Sequence, residues 1–141
     1  MKNLLLSLLL LGGSSALYAQ GSIAVKVMDV KNNDGKIILS LYDQQEGFPS
    51  EKEQAFRRIK IDAEKGDMSY TFTNLPYGTY ALAVIHDENN DDTVSKNFVG
   101  FPKEKIGVSN QTKFGKPSFD KSKFELVSSA PDIRIDLSFL N

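Results

Sequence analysis

From about residue 20 onward, hydrophobic and polar residues alternate along the chain with a period of two, which is typical of half-buried β-strands. Segments 23–28 and 37–42 both show this alternation. Asp34-Gly35 lies between them, and this pair suits the positive φ angles of a tight turn. The pattern therefore predicts a β-hairpin at the start of the folded domain.

Five further segments carry a strand pattern, and the most apolar one is expected in the middle of a sheet. Ser50 and Glu53 form a capping box, which predicts a short helix over 50–56. About seven strands with so little helix predict an all-β fold, an antiparallel β-sandwich. The five segments are 58–61, 68–73, 79–86 (the most apolar), 123–127 and 132–140.

One long segment, 87–122, shows no convincing strand or helix pattern, and loops of this length are uncommon in compact domains. Four phenylalanines are spread along it, and each ring is expected to pin the segment to the sandwich by burying apolar surface. We therefore expect an ordered loop over one end or edge of the sandwich, which is also the best candidate for a functional site. The phenylalanines are Phe98, Phe101, Phe114 and Phe119.

The composition of the chain excludes several kinds of site. With 141 residues the chain has room for one domain, and its formal net charge of −1 provides no field for holding nucleic acid. It has no cysteine and a single histidine, His86, which excludes disulfides, thiolate nucleophiles, cysteine-ligated metals and multi-histidine centres. We find no convincing catalytic constellation and expect a protein that is not an enzyme.

The first 19 residues have the layout of a secretory signal peptide. Lys2 provides the positive charge, and residues 4–11 form an apolar run about half as long as a membrane-spanning helix. We expect cleavage near Ala19, which leaves 20–141 as a single β-sandwich domain with no membrane span. Export without cysteines favours the periplasm or the exterior of a bacterium.

Asp87, Asn89 and Asp91 stand at alternate positions just after the predicted central strand. Oxygen ligands at positions 1, 3 and 5 of a tight loop are a common way to bind calcium. The EF-hand pattern, however, needs glycine at position 6 and glutamate at position 12, where this chain has Asp92 and Phe98. The three residues are therefore a candidate calcium site, and an acidic, turn-rich surface loop is the alternative.

His86 and Ser109 are candidates for a hydrolase. The side chain of His86 would point to the face opposite Asp87, which is a poor arrangement for a catalytic dyad. Ser109 lacks the second glycine and the strand-to-helix context of a nucleophile elbow. A small periplasmic hydrolase with its site under the 87–122 loop is therefore the alternative function.

Six lysines cluster in and just after the long segment, with aromatic rings between them. Such a surface can bind an anionic glycan or a partner protein of the cell envelope. Lysines also solvate long loops, and the chain has no tryptophan, the ring most used for stacking on sugars. The lysines are Lys103, Lys105, Lys113, Lys116, Lys121 and Lys123.

Four unusual blocks of sequence occur in order: HDEN at 86–89, NFVGFPKE at 97–104, GVSN at 107–110 and FGKPSF at 114–119. Together they resemble an uncharacterised family of exported bacterial proteins, the domain of unknown function twenty-one forty-one. The resemblance implies export and a β-sandwich, of immunoglobulin-like or transthyretin-like type by analogy, and carries no established activity. It also implies glycines at the positions of Asn90 and Asp92 and an aspartate at that of Ser95.

The sequence as a whole predicts a secreted β-sandwich module of the cell envelope. Its expected role is binding or structural, organised by calcium at Asp87, Asn89 and Asp91. No other cofactor is expected.

Overall fold

The computed structural model describes residues 19–92, 104–113 and 115–140. Residues 1–18 of the expected signal peptide lie outside this part of the chain, as do Phe98, Phe101 and Phe114. The described residues form eight strands and two very short helices. The strands are β1 (Gln20–Val30), β2 (Lys36–Tyr42), β3 (Arg57–Asp62), β4 (Gly66–Pro76), β5 (Gly78–Asp87), β6 (Lys105–Val108), β7 (Phe124–Leu126) and β8 (Asp132–Leu137).

The strands form two sheets that pack face to face. In the first sheet β1 lies between β4 and β8, paired antiparallel to β4 and parallel to β8. The second sheet has the order β3-β2-β5-β6 with β7 also paired to β5, and its pairs are antiparallel. The predicted all-β antiparallel sandwich is confirmed, with eight described strands where the pattern indicated about seven, and with one parallel pair. The β-hairpin predicted from segments 23–28 and 37–42 is wrong, because β1 and β2 lie in different sheets and do not pair with each other.

The main core lies between the sheets, and the period-two alternation of the strands creates it. Ile23, Val25 and Val27 of β1 are buried, while the residues between them are half-buried. Leu82 and Val84 of β5 join the same cluster from the second sheet. The residues of β5 that point the other way are buried as well, so β5 is the central strand that its apolar sequence predicts.

The outer face of the second sheet carries two smaller apolar clusters. Ile38, Ile85 and Ile106 form one of them, from β2, β5 and β6. In the other, Phe48 and Phe119 pack edge to face with ring centroids 6.0 Å apart. The contact of Phe119 agrees with the expectation that its ring pins the long segment to the sandwich.

The expectation that 87–122 contains neither strand nor helix is wrong. The strand β6 lies within this segment, and so does the helix α1 (Phe119–Ser122). Ile106 and Val108 are buried on one face of β6, but four residues are too few for the alternation to stand out in a sequence. The long segment is therefore partly a strand of the second sheet.

The helix predicted over 50–56 is a single turn of 3-10 helix, Lys52–Gln54. Glu51 at its N-terminus makes no side-chain capping bond, so the expected capping box is wrong. Neither this turn nor α1 has the length and apolarity that crossing a membrane requires, and the described ranges contain no other helix.

Candidate functional site

The candidate site lies where β5 ends, and the alternation of this strand decides which side chains reach it. His86 points into the sandwich, where its ring centroid lies 6.4 Å from that of Phe139. Asp87 points to the outer face, on the same side as Ile85. Asp87 is only 2% exposed, and a buried carboxylate needs compensating partners.

The turn after β5 supplies two of these partners from its own backbone. The N–H of Asp91 donates to Oδ1 of Asp87 at 3.2 Å, and the N–H of Asp92 donates to Oδ2 at 2.9 Å. Asn89 braces the same turn, since its side-chain amide donates to Oδ2 of Asp91 at 3.1 Å. The turn therefore folds back over Asp87 and brings Asp91 next to it.

Asp92 holds the turn against the outer face through three basic residues. Its carboxylate forms ion pairs with Arg58, with Lys60 at 2.9 Å and with Lys52 at 3.2 Å. The hydrogen bonds from Arg58 and Lys60 hold the pKa of Asp92 far below its ordinary value. Asp92 therefore stays ionised and remains paired with these three basic residues.

Glu104 completes a group of three carboxylates. In the pairing of β5 with β6, His86 lies opposite Lys105, so Glu104 lies one position further, opposite Asp87. One carboxylate oxygen from each of Asp87, Asp91 and Glu104 lies within 4.8 Å of the other two. We call these three residues the acidic cluster.

Glu104 has the least compensated carboxylate in the acidic cluster. Both of its oxygens are buried, and neither receives a hydrogen bond from any residue that the structure describes. Burial, together with the negative charges of Asp87 and Asp91, raises the pKa of Glu104 to about 7. The acidic cluster therefore needs a proton or a cation at neutral pH.

The chemistry of the acidic cluster fits a hard cation. Its donors are carboxylate oxygens, and no histidine or cysteine belongs to it. The carboxylate of Asp87 still has free lone pairs, because each oxygen accepts one N–H and has room for more. The side chain of Asn89, beside Asp91, is a further oxygen donor close to the cluster.

Two of the three metal ligands expected from the sequence, Asp87 and Asp91, lie in the acidic cluster. Asn89, the third expected ligand, lies beside the cluster and stabilises the turn. Its Oδ1 accepts the N–H of Asp91 at 3.3 Å. Glu104 was not expected. Only the pairing of β5 with β6 brings it to Asp87, and no local spacing encodes that pairing. Ser95 lies outside the described residues.

The two residues of the hydrolase hypothesis do not meet. Oγ of Ser109 donates to the carbonyl oxygen of Ser122 at 2.6 Å and accepts the N–H of Leu82 at 3.0 Å. His86 lies four residues beyond Leu82 along β5, which is roughly 13 Å from it. Its Nε2 donates to the carbonyl oxygen of Asp34 at 2.7 Å. Both side chains therefore serve as structural hydrogen-bonding groups at separate places.

The lysines expected to form one cluster are spread over different surroundings. Lys103 lies outside the described residues. Lys123 forms an ion pair with Asp120 at 3.1 Å, while Lys113 and Lys116 are exposed. Lys105 is different, because it lines a cavity between the sheets.

A family model matches residues 25–134, which run from β1 to β8 and include the acidic cluster. Its description is an uncharacterized protein conserved in bacteria, DUF2141. The chain belongs to DUF2141. The family assignment confirms the resemblance drawn from the four sequence blocks. No curated protein and no solved structure matches the chain.

In this DUF2141 protein, the turn that carries Asp91 has two residues in the left-handed region. Asn90 has a φ of 56° and Asp92 a φ of 60°. These are the two positions at which the family resemblance implies glycine, the residue that adopts such angles without strain. Asparagine and aspartate tolerate them better than most other residues do, so both can occupy these positions of the turn.

Proposed function

We propose that this protein is an exported module of the bacterial cell envelope in which a calcium ion, held by Asp87, Asp91 and Glu104, organises a binding or structural surface. The observation that carries the proposal is the convergence of three carboxylates within 4.8 Å, with both oxygens of Glu104 buried. Three carboxylates so close together repel one another strongly in a partly buried place. A divalent cation removes that repulsion for all three at once.

Protonation of Glu104 is the competing explanation for the acidic cluster. A single proton can be shared between Glu104 and Asp87, and it removes only one of the negative charges in the group. A cation satisfies both oxygens of Glu104 and uses the remaining lone pairs of Asp87. The cation also accounts for the placement of all three residues, whereas the proton accounts for one pair.

Calcium is the preferred cation because its coordination is flexible. It takes about six to eight oxygen ligands, supplied by carboxylates in either mode, amide oxygens and water. Three carboxylates and the nearby amide of Asn89 provide much of that number, and water molecules would complete it. Magnesium demands a nearly ideal octahedron and releases its water reluctantly.

A bound cation would tie two distant parts of the chain together. Asp87 is the last residue of β5 and Asp91 follows it, whereas Glu104 precedes β6. The ion would thus link the end of β5 to the start of β6 on the outer face of the sandwich. This is the basis for a structural or binding role rather than a catalytic one.

The hydrolase alternative has no comparable support, because Ser109 and His86 are engaged in separate hydrogen bonds far apart. Export rests on the amino-acid sequence: the charge of Lys2, the apolar run 4–11, the small residues at 12–16 and Ala19. Mass spectrometry of the protein expressed with its full N-terminus in a bacterium tests export. We expect a mature chain that starts near Gln20, and an intact N-terminus would contradict the proposal.

Thermal unfolding of EDTA-treated protein with and without calcium tests the cation site. A calcium concentration of about 100 times the dissociation constant stabilises the folded state by about 3 kcal/mol. For a domain of this size that raises the midpoint of unfolding by about 10 °C. Magnesium at the same concentration should give a much smaller shift.

Glu104→Gln is the decisive variant, because it separates the two explanations for the acidic cluster. The amide removes one charge and can donate a hydrogen bond to Asp87, so without calcium the variant should be more stable than the wild type at pH 7.5. It should lose most of the stabilisation by calcium. Glu53→Gln, an exposed change on the 3-10 turn, should leave both values unchanged. Absence of any heat or thermal shift on adding calcium to the wild type would overturn the proposal.

A further inference from the structure

A cavity of about 330 Å³ opens between the two sheets at the same end of the sandwich as the acidic cluster. Its volume lies at the lower end of the range found for small-molecule sites. Polar and apolar groups share its lining, which is typical of a site for a small organic molecule. The residues that matter here are Met28, Lys31, Lys105, Thr112, Ser138 and Phe139.

The cavity and the acidic cluster lie on opposite faces of the same pair of strands. His86 and Lys105 are paired across β5 and β6, and both line the cavity on the inner face. Their chain neighbours Asp87 and Glu104 point to the outer face, because successive side chains of a strand alternate. The sheet therefore separates the two sites, and each can be tested without the other.

An irregularity in β1 shapes one wall of the cavity. The pairing of β1 with β4 shifts between Val27 and Val30, and Asp29 has a φ of 57° there. Consecutive residues of a regular strand face opposite ways, yet Met28 and Asp29 both line the cavity. β-Bulges are common next to functional sites, where they redirect side chains in this way.

Two lysines bring positive charge to the cavity. Lys31, just after β1, and Lys105, at the start of β6, both line it, and neither forms an ion pair within the described residues. Both lysines therefore present a positive charge to the same space. The carboxylate of Asp29, which also lines the cavity, offsets part of this charge. Two like charges that face one cavity favour an anion between them.

We propose that this cavity binds a small organic anion, whose charged group lies between Lys31 and Lys105 and whose apolar part packs against Met28 and Phe139. The hydroxyl groups of Thr112 and Ser138 offer hydrogen bonds to the same anionic group. The chemical class is a carboxylate or phosphate ester that carries a ring or branched chain of modest size. The site is independent of the proposed calcium ion.

The test is a titration of ¹⁵N-labelled full-length mature protein, followed by NMR, with four probes: benzoate, phenyl phosphate, inorganic phosphate and benzylamine. Benzoate or phenyl phosphate should give saturable shifts of the amide signals of Met28, Thr112 and Ser138. Benzylamine, which has the ring but the opposite charge, should not. Inorganic phosphate should bind more weakly than phenyl phosphate, because it lacks the apolar part.

Matched variants assign the binding to the lysine pair. Lys31→Gln and Lys105→Gln should each weaken binding of the organic anion by about ten- to a hundredfold, the usual effect of losing a hydrogen bond to a charged group. Lys116→Gln removes an exposed lysine outside the cavity and should leave binding unchanged. Repeating the titration of the wild type with EDTA present should also leave binding unchanged, which separates this result from the calcium test.

Three outcomes would overturn the proposal. The first is absence of saturable shifts with both benzoate and phenyl phosphate at about 10 mM, a concentration at which even millimolar binding is visible. The second is equal binding of benzylamine, which would remove the role of the lysines. The third is an equal effect of Lys116→Gln and Lys105→Gln, which would mean that only the overall charge matters.

Discussion

Replacing Gly35 with alanine tests whether the turn between β1 and β2 supports the acidic cluster. Gly35 has a φ of 66°, and its carbonyl oxygen accepts the N–H of Ala63 at 3.1 Å. A Cβ atom at this position would overlap the carbonyl oxygen of Asp87 and lie 2.8 Å from the carbonyl carbon of Glu88. The alanine side chain can fit only if the peptide after Asp87 moves.

The cost of Gly35→Ala has two parts. Left-handed backbone costs alanine about 1–2 kcal/mol relative to glycine. Displacing packed backbone adds about 1–3 kcal/mol. We therefore expect Gly35→Ala to lower the free energy of unfolding by about 2–5 kcal/mol, and to reduce the stabilisation by calcium because Asp87 carries a ligand of the acidic cluster.

Gly66→Ala is the matched control for Gly35→Ala. Gly66 also has a positive φ, 105°, but a Cβ atom there would meet nothing within 4 Å. In this variant only the strained backbone should lower the free energy of unfolding, and the full response to calcium should remain. Urea unfolding measures both variants, and a difference of about 2 kcal/mol separates their midpoints by about 1–2 M. Equal responses to calcium would refute the reasoning.

Two further predictions concern buried polar groups. Burial raises the pKa of Tyr42 to about 12, so its contribution to stability is complete below its ordinary pKa of about 10 and is lost as the pH rises toward 12. In urea unfolding at a series of pH values, the difference between the wild type and Tyr42→Phe should therefore shrink by about 2 kcal/mol from pH 10 to 12, and a constant difference would contradict this. Ser109→Ala should lower the free energy of unfolding by about 2 kcal/mol, because it leaves the buried N–H of Leu82 without its partner and leaves the carbonyl of Ser122 with only the long bond from Asn110 at 3.4 Å. Ser69→Ala, an exposed change on β4, should cost less than about 0.5 kcal/mol, and equal costs for the two would show that the bonds of Ser109 contribute little.

Local patterns in the sequence were sufficient for most of the fold. The alternation in β1 and β2 marks them as strands that bury one face or both, and the apolar sequence of β5 indicates its central place. Turn chemistry marked Gly35 as a residue with a positive φ between the first two strands, although these strands cross between the sheets and form no hairpin. Each of these features depends on neighbours in sequence, which is why the sequence alone reveals it.

Features that depend on pairing between distant segments were not predictable. The parallel pairing of β1 with β8 joins the two ends of the domain, and β6 is too short to show a pattern. The acidic cluster illustrates the same limit. Spacing brought Asp87 and Asp91 together as candidates, but Glu104 enters only through the pairing of β5 with β6.

The parallel pairing of β1 with β8 also constrains the order in which this domain folds. β1 is the first strand and β8 the last strand that the structure describes, so one side of β1 has no neighbour until the chain is present as far as residue 137. Contacts of such large sequence separation form slowly, because a long stretch of chain must close before they stabilise anything. In the meantime the open hydrogen-bonding edge of β1 is a template for pairing with another chain. Newly emerging chains are therefore most exposed to association with one another just before their C-terminal strand docks.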